Sequence, residues 1–317
     1  QFLWLLPGLA IYFVGVLIRT WRWQYLLKPL KPVPIKTLFP IVNIGYMGNN
    51  VYPARAGEVL RSIVLKKRED VSISGSLATI LVERIFDAVV ILAFVILNLG
   101  QLAKMNLPDT IKQSLQQIAL WVGLIFLVML AIFVAIALMP VRAKKGWLWI
   151  NERVIPKRFR KAAQGIGEKF LEGLASLRSP LDFFMVLLTT AAIWTCETGL
   201  YWSVMKAMGL SLSFTTLMLI NGAINLVLLI PAAPGGLGTF DAACKTLLVA
   251  YGIEPEAALG YTLILRVALW VPITVLGAIY FIREGLKWNM DIKDYQADEN
   301  TGKVKQEEAP DETQEGE

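Results

Sequence analysis

The stretch Asn49–Asp70, NNVYPARAGEVLRSIVLKKRED, decides how the chain is read. It begins as the end of an apolar run, breaks at Pro53, and then carries Arg55, Glu58 and Arg61 before the basic exit of Lys66, Lys67 and Arg68. Its setting is apolar: 56% of the 317 residues are hydrophobic, 18% are charged, and mean hydropathy is +0.55. That balance belongs to an integral membrane protein, so the bilayer is the solvent to reason with. Five runs read as spans: Phe2–Ile18, Ile73–Leu99, Ile118–Met139, Leu181–Met205 and Ala257–Ile282. Each is near the roughly 20 helical residues that cross about 30 Å of hydrocarbon.

Basic residues orient the spans. Arg19, Arg22, Lys28, Lys31 and Lys36 follow the first run, with Trp21, Trp23 and Tyr25 as an interfacial belt, so this end is expected in the cytoplasm. The loop Arg142–Arg178 holds ten basic residues against Glu152, Glu168 and Glu172, whereas Gln101–Gln117 holds only Lys104, Asp109 and Lys112. Loop 140–180 is therefore cytoplasmic and the earlier loop is not. Two apolar segments fit no span. Thr37–Tyr52 turns at Pro53 into a helical stretch, Ala56–Leu65, with basic residues on both flanks; Ser211–Tyr251 is broken by PAAPGGLGTFD, Pro231–Asp241, with hardly any. Both are expected to enter and return, from opposite sides.

Pro53, Gly57 and Arg84 lie on Pro234, Gly238 and Arg266 at offsets of 181, 181 and 182 positions. Each half then reads as span, broken hairpin, span. The expected fold is an all-α polytopic membrane protein, an inverted-topology repeat with two opposed re-entrant helical hairpins, repeat 1 covering about 2–99 and repeat 2 about 181–283. Irregular backbone at membrane depth is tolerated only inside protein or beside a water-filled cavity, so the hairpins imply such an interior. Pro53, Gly57, Pro234, Gly235, Gly236 and Gly238 are the expected hinges. Thr239 is the expected cap of a half-helix whose positive end could receive an anionic headgroup.

Glu83, Arg84 and Asp87 lie about ten residues into a span, roughly 15 Å deep at 1.5 Å per residue. An arginine at the centre of a span costs at least about 2.5–3.5 kcal/mol unless it meets a partner or water. Glu83, Arg84 and Asp87, together with Arg55, Glu58, Arg61 and Arg266, are therefore expected to converge on the interior as a lipid headgroup site. A structural ion-pair network is the competing reading. Asn43, Asn49 and Asn50 either line the same cavity or satisfy the broken backbone, and Glu197 reads as a counter-ion for a nearby arginine.

The motifs NNVYPARAGEVLRSIVL, ATILVERIFDAVVIL and PAAPGGLGTFDAA together resemble the lysylphosphatidylglycerol synthetase transmembrane, or flippase-like, family, over Phe2 to about Gly285. The resemblance implies a membrane unit that moves a lipid across the bilayer, with Pro53, Arg55, Gly57, Glu58, Arg61, Glu83, Arg84 and Asp87 as signature residues and Gly235, Gly236 and Gly238 in the second hairpin. It implies no synthetase activity, since a short acidic tail stands where two-domain relatives carry a transferase. By the resemblance, the chain is also expected to lack the first span that members usually carry. The chain opens at Gln1 without a signal-peptide pattern, and a segment upstream is expected.

Histidine is absent, which removes the commonest general base and metal ligand, and Cys196 and Cys244 sit apart in apolar segments. No catalytic residue, cofactor or metal is expected. Lys157–Arg178 sets Phe159, Ile166, Phe170, Leu174 and Leu177 opposite a basic face, as in an amphipathic segment lying on an anionic leaflet, so a nucleic-acid partner is not expected. The tail 289–317, with ten acidic and three basic residues, is expected to be disordered and cytoplasmic, after a transmembrane domain of 1–288. The leading function is a lipid translocase in a prokaryotic plasma membrane, acting on an anionic phospholipid or a polyprenyl-phosphate-linked lipid. The alternative is a membrane-embedded enzyme acting on a lipid phosphate or lipid-linked sugar.

Overall fold

The central seam joins helix α1 (Leu5–Leu27) to helix α7 (Pro180–Ala207). Small residues let the two backbones approach: a Cβ on Gly8 would meet Ser203 Cβ at 2.6 Å, and one on Gly15 would meet Cys196 Cβ at 3.2 Å. In a bilayer, where apolar burial gives little reason for helices to associate, such close packing is a main source of attraction. Further along, Arg22 meets Thr190. Partner numbers fall as α1 numbers rise, so the two helices are antiparallel.

A computed structural model describes residues 1–52, 56–153, 180–228 and 234–286, with isolated positions 156, 160 and 164. Pro53, Arg55, most of the basic segment beyond residue 153 and the tail 289–317 lie outside the described residues. Every regular element described is helical. After α1 come α2 (Ile35–Val51), α3 (Gly57–Glu69), α4 (Ile73–Leu97), α5 (Asp109–Leu138) and α6 (Pro140–Arg153). Beyond α7 come α8 (Phe214–Val227), α9 (Thr239–Ala250) and α10 (Pro255–Arg283). Phe2–Leu27, Leu181–Ala207 and Pro255–Arg283 are long and apolar enough to cross a membrane. Helix α4 is 25 residues long but carries Glu83, Arg84 and Asp87 inside it.

The surface of α10 shows its solvent. Leu259, Leu263, Val267, Val271, Val275 and Ile279 recur every four residues and are all exposed, an apolar strip suited to acyl chains. Inside, two apolar cores form. One gathers Trp23, Leu26 and Leu27 of α1 with Leu38, Met47, Leu60, Val64, Val82 and Phe86 from α2, α3 and α4. The other gathers Tyr12 and Val16 of α1 with Tyr201, Ile220, Phe240, Leu248, Tyr261 and Leu265 from α7 to α10. Helix α1 serves both.

Helix α3 folds back along α2 through glycine. A Cβ on Gly57, the first residue of α3, would sit 2.0 Å from Gly45 O and 2.3 Å from Asn49 N. Helix α2 then crosses α10 at Gly277, where a Cβ would lie 2.4 Å from Asn43 O. Beside that crossing Asn50 Nδ2 donates to Thr274 Oγ1 at 2.8 Å. Helix α4 crosses α8 at Gly222, close to Ile91 and Val95. Since the clashing atoms at Gly57 and Gly277 are mainly backbone, they cannot move aside as a flexible side chain would. Gly57→Ala and Gly277→Ala should each destabilise the purified protein by about 1–3 kcal/mol through overpacking. Gly146→Ala, with nothing within 4 Å, should leave the detergent melting curve unchanged or slightly improved.

Candidate functional site

Arg22 stands at the middle of the charged residues. It projects from α1 with 2% exposure, and its Nη1 donates to Asp87 Oδ1 at 2.7 Å and to Thr190 Oγ1 at 2.8 Å. Its Nε lies 3.7 Å from Glu83 Oε1. Glu83, 1% exposed, accepts from Arg61 Nη1 at 2.9 Å. The Arg61 guanidinium in turn covers the Trp23 ring at 3.4 Å. Stacking of this kind suits arginine, whose planar charge is weakly hydrated. Trp194 Nε1 adds a hydrogen bond to Asp87 Oδ1 at 3.2 Å. Helices α1, α3, α4 and α7 are thus tied together by two carboxylates and two guanidinium groups.

Arg84 and Glu58 form the open edge of this network. Arg84 Nε is 3.5 Å from Glu58 Oε1 and Arg84 Nη1 is 3.4 Å from Asp87 Oδ2, with side-chain exposures of 30% for Arg84 and 23% for Glu58. Arg84 makes no contact as short as Arg22–Asp87 or Arg61–Glu83, and it and Glu58 are the more exposed side chains, so Arg84 is held less firmly than those two arginines.

Of the residues expected from sequence, Glu58, Arg61, Glu83, Arg84 and Asp87 lie together, while Arg55 falls outside the described residues. Arg266 lies elsewhere, with Nε on Asp241 Oδ1 at 2.7 Å and Nη2 on Gly236 O at 3.2 Å. The chain turns there through Pro234–Gly236, and Gly235, Gly236 and Gly238 have φ of 61°, 66° and 79°, which glycine adopts at least cost. Thr239 is the first residue of α9 and Gly238 occupies the cap position, its N–H donating to Asp241 Oδ2 at 3.0 Å. The expectation of a Thr239 cap is corrected accordingly: the side chain that satisfies the orphan N–H lies inside the helix.

Two arginines of the site were read in the sequence as interfacial flanks. Besides Arg22, Arg19 donates from Nη2 to Glu197 Oε2 at 2.7 Å and from Nη1 to Tyr46 Oη at 2.6 Å. Trp23 is wholly buried and donates to Thr79, so it is no interfacial residue, while Trp21 is exposed. Helix α1 runs past Ile18 to Leu27, and Arg19, Arg22, Trp23 and Leu26 share one face at helical spacing. That periodicity was the available signal. Asn43 Nδ2 bonds Phe39 O at 2.6 Å, a backbone group of its own helix. Among the described residues, no three His, Cys, Asp or Glu side chains group as a metal set.

Removing one member of a buried pair strands the other charge. Asp87→Asn should cost about 3–5 kcal/mol in detergent unfolding, and Glu58→Gln, at the more exposed edge, less than about 1 kcal/mol. Equal losses would contradict the distinction between the inner pairs and the open edge.

The comparisons with known proteins set the chain among membrane proteins. A UPF0104 membrane protein of Methanothermobacter thermautotrophicus is 27% identical over 292 residues, 87% of this chain and 83% of its own. Another, of Methanocaldococcus jannaschii, is 26% identical over 234 residues, 74% of this chain and 92% of its own. Glycosyltransferase AglD of Haloferax volcanii is 26% identical over 297 residues, 85% of this chain but 47% of its own. No solved structure matches. The family described as lysylphosphatidylglycerol synthase TM region matches residues 1–277, and the chain belongs to that family of membrane proteins.

Proposed function

We propose that the protein is a lipid translocase of a prokaryotic plasma membrane, built as an inverted repeat of α1–α4 and α7–α10. Two opposed re-entrant hairpins, α2–α3 and α8–α9, bend at Pro53, Gly57, Pro234, Gly235, Gly236 and Gly238. Two features of the packing support the repeat. The α1–α7 seam is antiparallel, and exchanging the halves turns the α2–α10 contact into α8–α4 and the α3–α4 contact into α9–α10, all of which occur. Loop 140–180 and the tail 289–317 face the cytoplasm in this reading, on the strength of their position relative to the basic residues.

The substrate is an anionic phospholipid or a polyprenyl-phosphate-linked lipid whose headgroup is handled by Arg55, Glu58, Arg61, Glu83, Arg84, Asp87 and Arg266. The observation that carries the reading is the Arg84–Glu58 contact, 3.5 Å long and made by the most exposed arginine and carboxylate of the network. A phosphate arriving there displaces Glu58 as the partner of Arg84, so the Arg84 charge keeps an anion beside it while Glu58, the most exposed carboxylate of the group, gives way. Arg61, Glu83, Arg22 and Asp87 hold the edge in place.

A second reading, a membrane-embedded enzyme acting on a lipid phosphate or lipid-linked sugar, draws on the similarity to Glycosyltransferase AglD. Turnover of such a lipid by the purified protein, abolished by Glu83→Gln, would favour it.

The translocase reading is tested in proteoliposomes by bleaching a headgroup-labelled anionic lipid with a membrane-impermeant reductant. Wild type should expose inner-leaflet label well above protein-free vesicles, and Arg84→Gln should slow this at least about ten-fold, since charge-assisted contacts are worth about 1.5–3 kcal/mol. Equal rates for wild type, variant and empty vesicles would remove the proposal.

A further inference from the structure

The second half contains a cavity that the ion-pair network does not use. It measures about 130 Å³ and opens among α7, α8, α10 and the Pro234–Gly236 turn, lined by Glu197, Tyr201, Asn225, Gly235, Arg266 and Trp270 among others. Three buried polar atoms of its lining residues have no hydrogen-bond partner among the described residues: Arg266 Nη1, Trp270 Nε1 and Tyr201 Oη. Buried donors are nearly always met by an acceptor, and several unmet ones at one cavity are a demand for a ligand.

We propose that this cavity is an oxyanion subsite that takes a phosphoryl group, with Arg266 Nη1, Trp270 Nε1 and Tyr201 Oη as its donors. The surroundings are built to present them. Arg266 is fixed from the side by Asp241 and Gly236 O, which occupy Nε and Nη2 and leave Nη1 turned to another partner. Gly235 packs directly against the indole, where a Cβ would sit 2.5 Å from Trp270 Nε1, so only glycine leaves that N–H without a side chain pressed onto it. Tyr201 is wholly buried, so its hydroxyl has no bulk water to fall back on.

The charges at the lining are balanced in pairs, so hydrogen-bond donors rather than net positive charge would hold an anion there. Glu197, the one carboxylate lining the cavity, is already paired with Arg19 at 2.7 Å, and Asp241 is paired with Arg266. A phosphoryl group offers only acceptors, on several oxygens spread around one centre, which suits donors arriving from α7 and α10 better than a water that must also donate. The volume admits a group of a few heavy atoms.

The phosphoryl is either esterified in a lipid or free in solution, and the same donors serve both.

This inference rests on the translocase reading only for its place in a transport cycle, and it fails separately. The test measures binding to the detergent-purified full chain of two probes, dihexanoyl phosphatidic acid and inorganic phosphate, for wild type, Trp270→Phe and Tyr201→Phe. Tyr201→Phe removes one donor and keeps the ring, whereas Trp270→Phe removes the donor and puts a smaller phenyl ring in place of the indole, so the melting curve of each variant is measured alongside. Affinity for phosphatidic acid should fall about ten-fold in each variant. Competition by inorganic phosphate would assign the site to the phosphoryl group itself, and its failure to compete would assign it to a lipid phosphate. Absence of binding by both probes, or affinities equal in wild type and both variants, would overturn the subsite. Binding lost in the variants without lipid movement by wild type would retain the subsite and discard the translocase.

Discussion

The structure depends on a rule of low-dielectric media: a charge withdrawn from water must find its partner inside the protein. Arg22 applies that rule across three helices, reaching Asp87 on α4 and Thr190 on α7 from its place on α1. Because Asp87 also receives Trp194, and Glu83 receives Arg61, the helices around α1 cannot shift independently without stranding a charge. The apolar cores on either side of α1 then pack against a frame whose register is already set. Dispersion alone would leave that register soft, since lipid tails compete with Leu and Val for the same surfaces.

The two halves carry different amounts of filled space. Around Glu83 and Asp87 the arginines are answered by carboxylates, hydroxyls and indoles, with longer contacts at Arg22 Nε–Glu83 and at the Arg84–Glu58 edge. Around Arg266 the glycine turn leaves a cavity and unmet donors. Between them, the Arg19–Glu197 pair belongs to both halves, since Arg19 touches Tyr46 of α2 while Glu197 lines the cavity. In the proposed account, a headgroup exchanges with Glu58 on one side and meets the donors of the cavity on the other.

Much of this was legible in the residues. The helical class, the apolar runs and the breaks at Pro53 and at PGGLG follow from hydropathy and from the few residues that tolerate such turns. The meeting of Glu58, Arg61, Glu83, Arg84 and Asp87 follows from the cost of leaving any of them alone. Arg19 and Arg22 were hidden because basic residues just beyond an apolar run look like a cytoplasmic flank, and only the length of α1 reveals them as interior. Arg266 was expected among the first-half carboxylates, but its partner Asp241 lies 25 positions earlier, on the far side of a loop whose path no periodicity reports. Tyr201 and Trp270 carried no signal, since aromatic residues in apolar helices are ordinary.

The most direct test of the account is native mass spectrometry of the lipids that stay with the protein through purification. The account predicts one defined anionic lipid on wild type, lost from Arg84→Gln and depleted in a Tyr201→Phe, Trp270→Phe double variant. An identical spread of bulk membrane lipid on all three proteins would contradict it, leaving the charged residues as a frame that holds helices together and nothing more.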